Sequence, residues 1–247
     1  MKKYGFTVLL ILSFLISGAQ NPAPQKDSTK TKTDSIKRRA LIKQLGNGYF
    51  PTKYIDIDLR YLVKYNQYEA LRTGIGGRTN NTFSEKIRFN TYVVYGFRDK
   101  AHKYSFGAGV RLVKHTNTWV NFAYTNDLSE TGSSTFLTDN RFFQLFEPRL
   151  LNIDLFHKHI TTSVSLEHQF TPHLVAESEF AHSKIDPTYY YSFFVDNKTY
   201  QTFNLSTSKT ALQWSPFSRF EIQENKLKEI KSGYPKFTLQ YTKSLRT

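Results

Sequence analysis

The side chains best suited to chemistry are three glutamates, Glu167, Glu177 and Glu179, which lie close together in the chain. They fall in two stretches of alternating polar and apolar residues that are separated by Thr171-Pro172. Pairing the stretches about that turn places Glu167 beside Glu177. Two neighbouring carboxylates can transfer protons in acid–base catalysis or bind a cation. These residues are therefore the first candidates for a site.

A second interpretation of the same glutamates is an ion-pair network inside a polar interior. Like charges that face each other across a strand pair are destabilising, so they need cations nearby. Arg88 and Arg111, with Arg78, carry the matching charge on other segments of the same type. We favour this interpretation, because interiors of membrane barrels are normally polar. It predicts a polar cluster of Glu167, Glu177, Glu179, Arg111 and Arg88 and no catalytic residue.

Metal, cofactor and thiol chemistry find little support in the sequence. His157 and His159 are two residues apart and share one face of a strand, and two imidazoles can bind a transition metal. No third ligand accompanies them, so we expect histidines at the rim of a sheet. The chain has no Cys, which excludes disulfides, thiolate metal sites and a cysteine nucleophile. We expect no cofactor and no bound metal.

The segments that carry these side chains alternate between polar and apolar residues, with a period of two. Apolar and polar sets oppose each other along each segment, as in a strand with two different faces. The apolar set includes Ile87, Phe89, Phe106, Val110, Val164 and Leu166. We predict nine such segments: 54–65, 68–79, 84–96, 103–114, 117–125, 158–170, 173–182, 199–214 and 235–245.

The length of these segments indicates the class of fold. Many run for ten residues or more, whereas a strand of a soluble protein averages about 5–6 and a tilted membrane-crossing strand needs about 9–11. Connections at 79–81, 115–116 and 171–172 are short, while 128–152 and 183–198 are long. Short turns at one end and long loops at the other are typical of outer-membrane barrels.

We therefore predict an all-β fold, an antiparallel outer-membrane-type β-barrel of about 8–10 strands. Single-chain bacterial barrels have an even number of strands. The nine predicted segments are an odd number, which suggests an incomplete barrel.

The densest aromatic run is predicted to lie at a strand end. Aromatic side chains form girdles where barrels meet the membrane surface. We favour a girdle for this run, and a loop that stacks on a carbohydrate or a partner is the alternative. The run consists of Tyr189, Tyr190, Tyr191, Phe193 and Phe194.

The N-terminal region reads as an export signal followed by a tail. Residues 1–19 have a basic start, an apolar run of about a dozen residues and a small-residue cleavage site, which indicate a signal peptide. Residues 20–47 form a polar, basic tail with a short helix, and residues 48–247 form the barrel domain. About half of the net charge of +14 lies in the signal and tail, so we expect no nucleic-acid partner.

Several motifs resemble the barrel region of a large outer-membrane family of the Bacteroidota type, whose function is unknown. They include Gly48-Tyr49-Phe50-Pro51, the stretch 69–80, Leu212-Gln213-Trp214-Ser215-Pro216-Phe217, and Gly233-Tyr234-Pro235 with the strand after it. Members of that family usually begin with a carboxypeptidase-regulatory-like domain, which this sequence lacks. The resemblance covers about residues 46–247 and implies a shortened or split relative without established catalytic residues.

These observations predict a non-enzymatic outer-membrane β-barrel with a structural, transport or surface-associated role. The expected partners are outer-membrane lipid, the barrel assembly machinery and a second chain that completes the barrel. Two alternatives stay open: a soluble periplasmic β-sheet binding module, and a barrel hydrolase that uses the interior carboxylates. The sequence identifies no substrate, cargo or oligomeric state.

Overall fold

The computed structural model describes residues 42, 44–133, 135–138, 147–223 and 226–245. The predicted signal peptide 1–19 and nearly all of the tail lie outside this range, and residues 44–46 at the end of the tail are helical. The strands are β1 (Tyr49–Pro51), β2 (Ile55–Asp58), β3 (Val63–Asn66), β4 (Ala70–Thr79), β5 (Ile87–Gly96), β6 (Ala101–Val113), β7 (Thr118–Glu130), β8 (Phe156–Thr171), β9 (Leu174–Pro187), β10 (Phe193–Val195), β11 (Lys198–Tyr200), β12 (Phe203–Trp214), β13 (Arg219–Gln223), β14 (Lys226–Lys231) and β15 (Phe237–Leu245).

Eleven of these strands form one antiparallel sheet in the order β1-β2-β4-β5-β6-β7-β8-β9-β12-β15, with β3 also paired to β4. Each predicted segment contains a strand of this sheet, so the all-β antiparallel fold is confirmed. Among the described strands, β15 and the β1–β3 region form the two edges, and no pairing joins them. The open sheet is compatible with an incomplete barrel.

The sheet has two different ends. The connections at 80–86, 114–117 and 172–173 lie together at what we call the short-turn end, where the amide of Gln169 donates to the carbonyl of Thr116 at 2.9 Å. The connections 131–155 and 188–202 begin and end at the opposite, long-loop end, as does the short turn 97–100. The long connection 215–236 begins and ends at the short-turn end, so the predicted alternation of short and long connections holds for only part of the sheet.

The first predicted segment, 54–65, is not one continuous strand. It is divided into β2 and β3 by a 3-10 helix, Leu59–Tyr61. Asp58 caps that helix, since its carboxylate accepts a hydrogen bond from the backbone amide of Arg60 at 3.1 Å. A side chain that bonds the local backbone in this way competes with the sheet ladder. Both pieces still pair with β4.

Two predicted loops are shorter than expected because the strands before them continue. β7 extends to Glu130 rather than to residue 125, and β9 extends to Pro187 rather than to residue 182. Part of the second loop forms the hairpin β10–β11, and the connection after β12 contains the hairpin β13–β14. Long antiparallel ladders therefore dominate the molecule.

The sheet buries polar groups on one face and exposes apolar groups on the other. On β6, Lys103 and Ser105 are 4% and 6% exposed, whereas their neighbours Phe106 and Val110 are 48% and 49% exposed. We call these the polar face and the apolar face. This distribution is the reverse of that in a soluble domain, where apolar side chains form the buried core.

No helix among the described residues has the length and apolar character needed to cross a membrane.

Candidate functional site

Several buried charges of the described chain meet on the polar face near the long-loop end. Glu69, in the turn before β4, is 0% exposed. Its carboxylate forms an ion pair with Lys103 of β6, whose ammonium also contacts Asp99 at 2.5 Å. The side-chain amide of Asn66 donates a hydrogen bond to the other carboxylate oxygen of Glu69 at 2.6 Å, and its oxygen accepts one from the backbone amide of Glu69 at 2.7 Å. The glutamate is thus held by its own turn and by a cation from β6.

A second ion pair adjoins the first. The guanidinium of Arg72 on β4 donates two hydrogen bonds to the carboxylate of Asp127 on β7, at 2.7 and 2.8 Å. The Tyr92 hydroxyl lies 2.5 Å from the same carboxylate, and Arg72 is 3.4 Å from Glu69. Paired, hydrogen-bonded charges are the form in which buried ions are tolerated. We call the set the buried network; it consists of Asn66, Glu69, Arg72, Tyr92, Asp99, Lys103 and Asp127.

Small residues make room for the large side chains of the polar face. Tyr61, from the 3-10 helix, stacks on Tyr92 with ring centroids 4.1 Å apart. The Tyr61 ring lies over Gly76, where an added Cβ would clash with that ring and with the Cβ of Tyr92. At Gly107 an added Cβ would be 2.3 Å from Asn90. Glycine on this face therefore allows neighbouring strands to lay their side chains across it.

A cavity of about 300 Å³ lies beside the buried network. A 3-10 helix at Pro148–Leu151, in the connection between β7 and β8, lines one side of this cavity. Lys64 pairs with Glu147 at 2.9 Å, and Arg149 pairs with Glu130 at 2.6 Å. The polar cavity is lined by residues that include Arg60, Lys64, Glu69, Arg72, Asp127 and Glu147.

The connection between β7 and β8 also contacts the strands near the other edge of the sheet, β12 and β15. The amide of Leu137 donates to the Gln240 side chain at 2.9 Å, and the Gln213 side chain donates to the carbonyl of Thr138 at 3.0 Å. Gln213 and Gln240 lie on β12 and β15. Residues 135–138 and 147–151 of this connection therefore contact residues of the polar face rather than projecting away from the sheet.

The predicted carboxylate cluster lies on the polar face nearer the short-turn end. Glu167 stands opposite Glu177 in the β8–β9 ladder. Arg88 forms an ion pair with Glu167, and Asn121 donates to the same oxygen at 3.0 Å. Glu179 pairs instead with a cation that the sequence analysis did not select, Lys209, at 3.4 Å. The structure thus joins Arg88 to one glutamate and gives another a different partner.

The two other arginines make different contacts. Arg111 and Arg88 both lie over the ring of Trp119, at 4.7 and 4.4 Å from its centroid. Arg78 lies near Asp56, at 3.5 Å, and over the ring of Tyr49 at 3.8 Å. Stacking on an aromatic ring is a favourable contact for a guanidinium. Arg111 therefore belongs to the same region as the glutamates without an ion pair to them, and Arg78 belongs to the first strands.

The histidines and the aromatic run lie toward the long-loop end. His157 and His159 have ring centroids 6.1 Å apart, and within the described ranges no three His, Asp or Glu residues are grouped as metal ligands. Tyr189, Tyr190, Tyr191, Phe193 and Phe194 follow β9 and enter the β10–β11 hairpin. Tyr191 and Phe193 pack near Phe203 of β12, whereas Tyr190 is 93% exposed.

No family model, curated protein or solved structure matches the chain. The resemblance to the Bacteroidota-type family stays a prediction.

The buried network was not among the residues that the sequence analysis selected. One signal was present: Lys103 has the same parity as Ser105, Gly107 and Gly109, so alternation already assigns it to the polar face. The partners of Lys103 come from a turn and from other strands, and alternation alone does not bring such residues together. The structure therefore adds a second polar site to the predicted one.

Proposed function

We propose that the chain forms the wall of an outer-membrane β-barrel, a non-catalytic membrane protein whose apolar face contacts lipid. In this proposal the polar face lines the barrel interior. The buried network, the carboxylate cluster and the 131–155 connection fill part of that interior. The role is structural or surface-associated rather than enzymatic.

The observation that carries the proposal is the exposed apolar face. Ile75, Phe106, Val110, Val164 and Leu166 are between 44% and 63% exposed and lie on three strands of the sheet, β4, β6 and β8. Monomeric soluble proteins rarely expose an apolar patch of more than a few hundred Å². Insertion into a bilayer removes this apolar surface from water. The alternative, a soluble periplasmic binding module, leaves the same surface exposed to water.

The upper boundary of the apolar face lies at different heights on neighbouring strands. Tyr104 of β6 and Ile160 of β8 share a ladder rung that leads to Lys184 of β9. On β9 the first large residue of the apolar face is Phe180, four residues nearer the short-turn end.

Aromatic pairs mark both ends of the apolar face. Tyr104 and Tyr124 stack toward the long-loop end, with ring centroids 6.2 Å apart. Trp214 and Phe237 stack at the short-turn end, 5.6 Å apart. Aromatic girdles at both interfaces are typical of outer-membrane barrels. These pairs support a membrane position for the band between them.

A membrane position also requires both edges of the sheet to be paired. Unpaired backbone N–H and C=O groups each cost several kcal/mol in hydrocarbon, so open edges do not occur there. The proposal therefore includes further strands beside β15 and the β1–β3 edge, supplied by a second chain. The barrel assembly machinery is the expected partner for insertion.

The hydrolase alternative receives less support from the geometry. Glu167 is engaged by Arg88 and Asn121, and Glu179 is paired with Lys209, so two of the three glutamates are held by cations of the polar face. A general acid or base needs a carboxylate that can reach a substrate.

The test uses single cysteines, because the chain has none of its own. Val164→Cys and Ser165→Cys are neighbours on opposite faces of β8 and form a matched pair. Each variant is labelled with an environment-sensitive fluorophore and folded into lipid vesicles. We expect brominated lipids to quench the Val164→Cys label and aqueous iodide to quench the Ser165→Cys label. Equal quenching of both labels by iodide, with no effect of brominated lipid, refutes the membrane assignment.

Localisation is tested separately in cells. The proposal predicts that the protein stays in the outer-membrane fraction after a carbonate wash, whereas a periplasmic binding module is released.

A further inference from the structure

We propose that three lysines on the apolar face, Lys158, Lys184 and Lys243, bind the phosphate groups of lipid headgroups. They lie on β8, β9 and β15, all toward the long-loop end. We call them the basic rim. The inference rests on the proposed membrane position and adds to it a specific headgroup chemistry for one side of the membrane.

The ladders assign all three lysines to the apolar face. Lys184 stands opposite Ile160, and Lys158 lies two residues before Ile160 on the same strand. Lys243 lies two residues after Tyr241, which is 67% exposed on that face. All three lysines are exposed. Lys184 therefore stands four residues beyond Phe180, and Lys158 and Lys243 stand two residues beyond Ile160 and Tyr241, with Phe156 and Leu245 as the next residues of the same parity.

The charge of the basic rim is not neutralised by the protein. Within the described part of the chain, none of the three lysines has a carboxylate within 4.0 Å. Asp186 is the acidic residue in this surface, opposite Lys158 in the ladder, and it leaves an excess of two positive charges. Lys114 at the short-turn end instead pairs with Glu85 at 3.2 Å.

The surroundings of the basic rim suit a phosphate at a membrane boundary. A lysine can lay its aliphatic stem along an apolar surface and extend its ammonium into the headgroup layer. Thr162, His182 and Ser206 occupy one rung on the same face. His182 lies between Lys184 and the apolar band, and Ser206 lies opposite Leu245, the next residue of the same parity after Lys243 on β15. Hydroxyl and imidazole groups can donate to phosphate oxygens, and lysine binds phosphate as a point charge. A phosphate-bearing lipid thus meets both its charge and its acceptors here.

The test measures which lipid collects beside the basic rim. A fluorophore on Thr162→Cys reports from this surface, and one on Val120→Cys reports from the apolar face nearer the short-turn end. Vesicles of phosphatidylcholine receive a minor fraction of either brominated phosphatidylglycerol or brominated phosphatidylcholine. A lysine near an anionic surface contributes about a fivefold preference. We expect the anionic lipid to quench the Thr162→Cys label at least about fivefold more per molecule and the Val120→Cys label equally.

Two perturbations connect that preference to the lysines. The triple variant Lys158→Gln, Lys184→Gln and Lys243→Gln should bring the two lipids to equal quenching at Thr162→Cys. High salt should reduce the preference in the unmodified basic rim, and this measurement stands even where the triple variant does not fold. A preference that persists after either change overturns the inference.

The failure of this inference is distinguishable from the failure of the proposed function. Equal quenching by both lipids at Thr162→Cys, with the native lysines present, overturns the basic rim and leaves the membrane position intact. Quenching by neither lipid, at either label, refutes the membrane position itself.

Discussion

Replacing Lys103 by methionine tests whether the buried network stabilises the fold. Methionine keeps the length of the side chain and removes its charge. Lys103 is 5% exposed at its side chain, and the two carboxylates that it contacts, Glu69 and Asp99, are 0% and 8% exposed. The substitution leaves both carboxylates buried without their shared cation.

The expected loss follows from that burial. Removing one partner of a buried ion pair typically costs about 3–5 kcal/mol, because the remaining charge stays out of water. Glu69 keeps Asn66 and a longer contact to Arg72, so part of its charge stays balanced. We therefore expect Lys103→Met to lower the free energy of unfolding by about 3 kcal/mol or more.

The assay is urea unfolding of the protein folded in lipid vesicles, followed by tryptophan fluorescence and extrapolated linearly to zero urea. Trp119 is 5% exposed and reports on the polar face. The control is Lys114→Met, since the Lys114–Glu85 pair is exposed and such pairs are worth at most about 1 kcal/mol. The double variant Lys103→Met and Asp99→Asn should recover about 0.5–3 kcal/mol of the loss. A loss at Lys103 no larger than at Lys114 would show that this reasoning is wrong.

Two further predictions concern packing and the long connection. Gly74→Ala should lower the free energy of unfolding by about 1–3 kcal/mol in the same assay, because its Cβ would meet the backbone of Val93 and Val94, and Gly107→Ala should cost less, because its Cβ would meet only the movable end of the Asn90 side chain. Lys64→Glu should release residues 147–151 from the sheet and raise their rate of cleavage by protease, since Lys64 pairs with Glu147; the exchange Lys64→Glu with Glu147→Lys should restore protection. A loss at Gly74 no larger than at Gly107 contradicts the first prediction, and unchanged cleavage in Lys64→Glu or no recovery in the exchange contradicts the second.

The faces and order of the long strands could be predicted because the alternation of polar and apolar residues within one strand assigns each residue to a face without knowledge of distant parts of the chain. Phe106, Val110 and Val164 were assigned to one face by parity, and the ladders place them together there. The turn after Thr171 brings β8 and β9 together, as predicted, and a register shift between Gln169 and Thr171, which alternation does not reveal, sets Glu167 opposite Glu177. Pairing between consecutive strands is therefore the part of the fold that the sequence predicts well.

Features that depend on side chains from distant parts of the chain were harder to predict. The predicted segment 117–125 ends before Asp127, because Asn and Asp are weak strand formers. In the structure the ladder continues through Asp127, whose carboxylate is held by Arg72 and Tyr92 from two other strands. Similarly, the break at Leu59–Tyr61 depends on the Asp58 cap and on a tyrosine stack, neither of which alternation reveals.

The divided first strand gives the sheet a direction of growth. β2 pairs with β4 over three residues and β3 over four, and the 3-10 helix between them interrupts the line of backbone groups at that edge. A long incoming strand would find no straight template there, and short, interrupted edges are a recognised protection against unwanted pairing. β15 presents nine residues without a break. Strand addition is therefore expected to be vectorial: it starts at β15, and the interrupted β1–β3 edge is paired last.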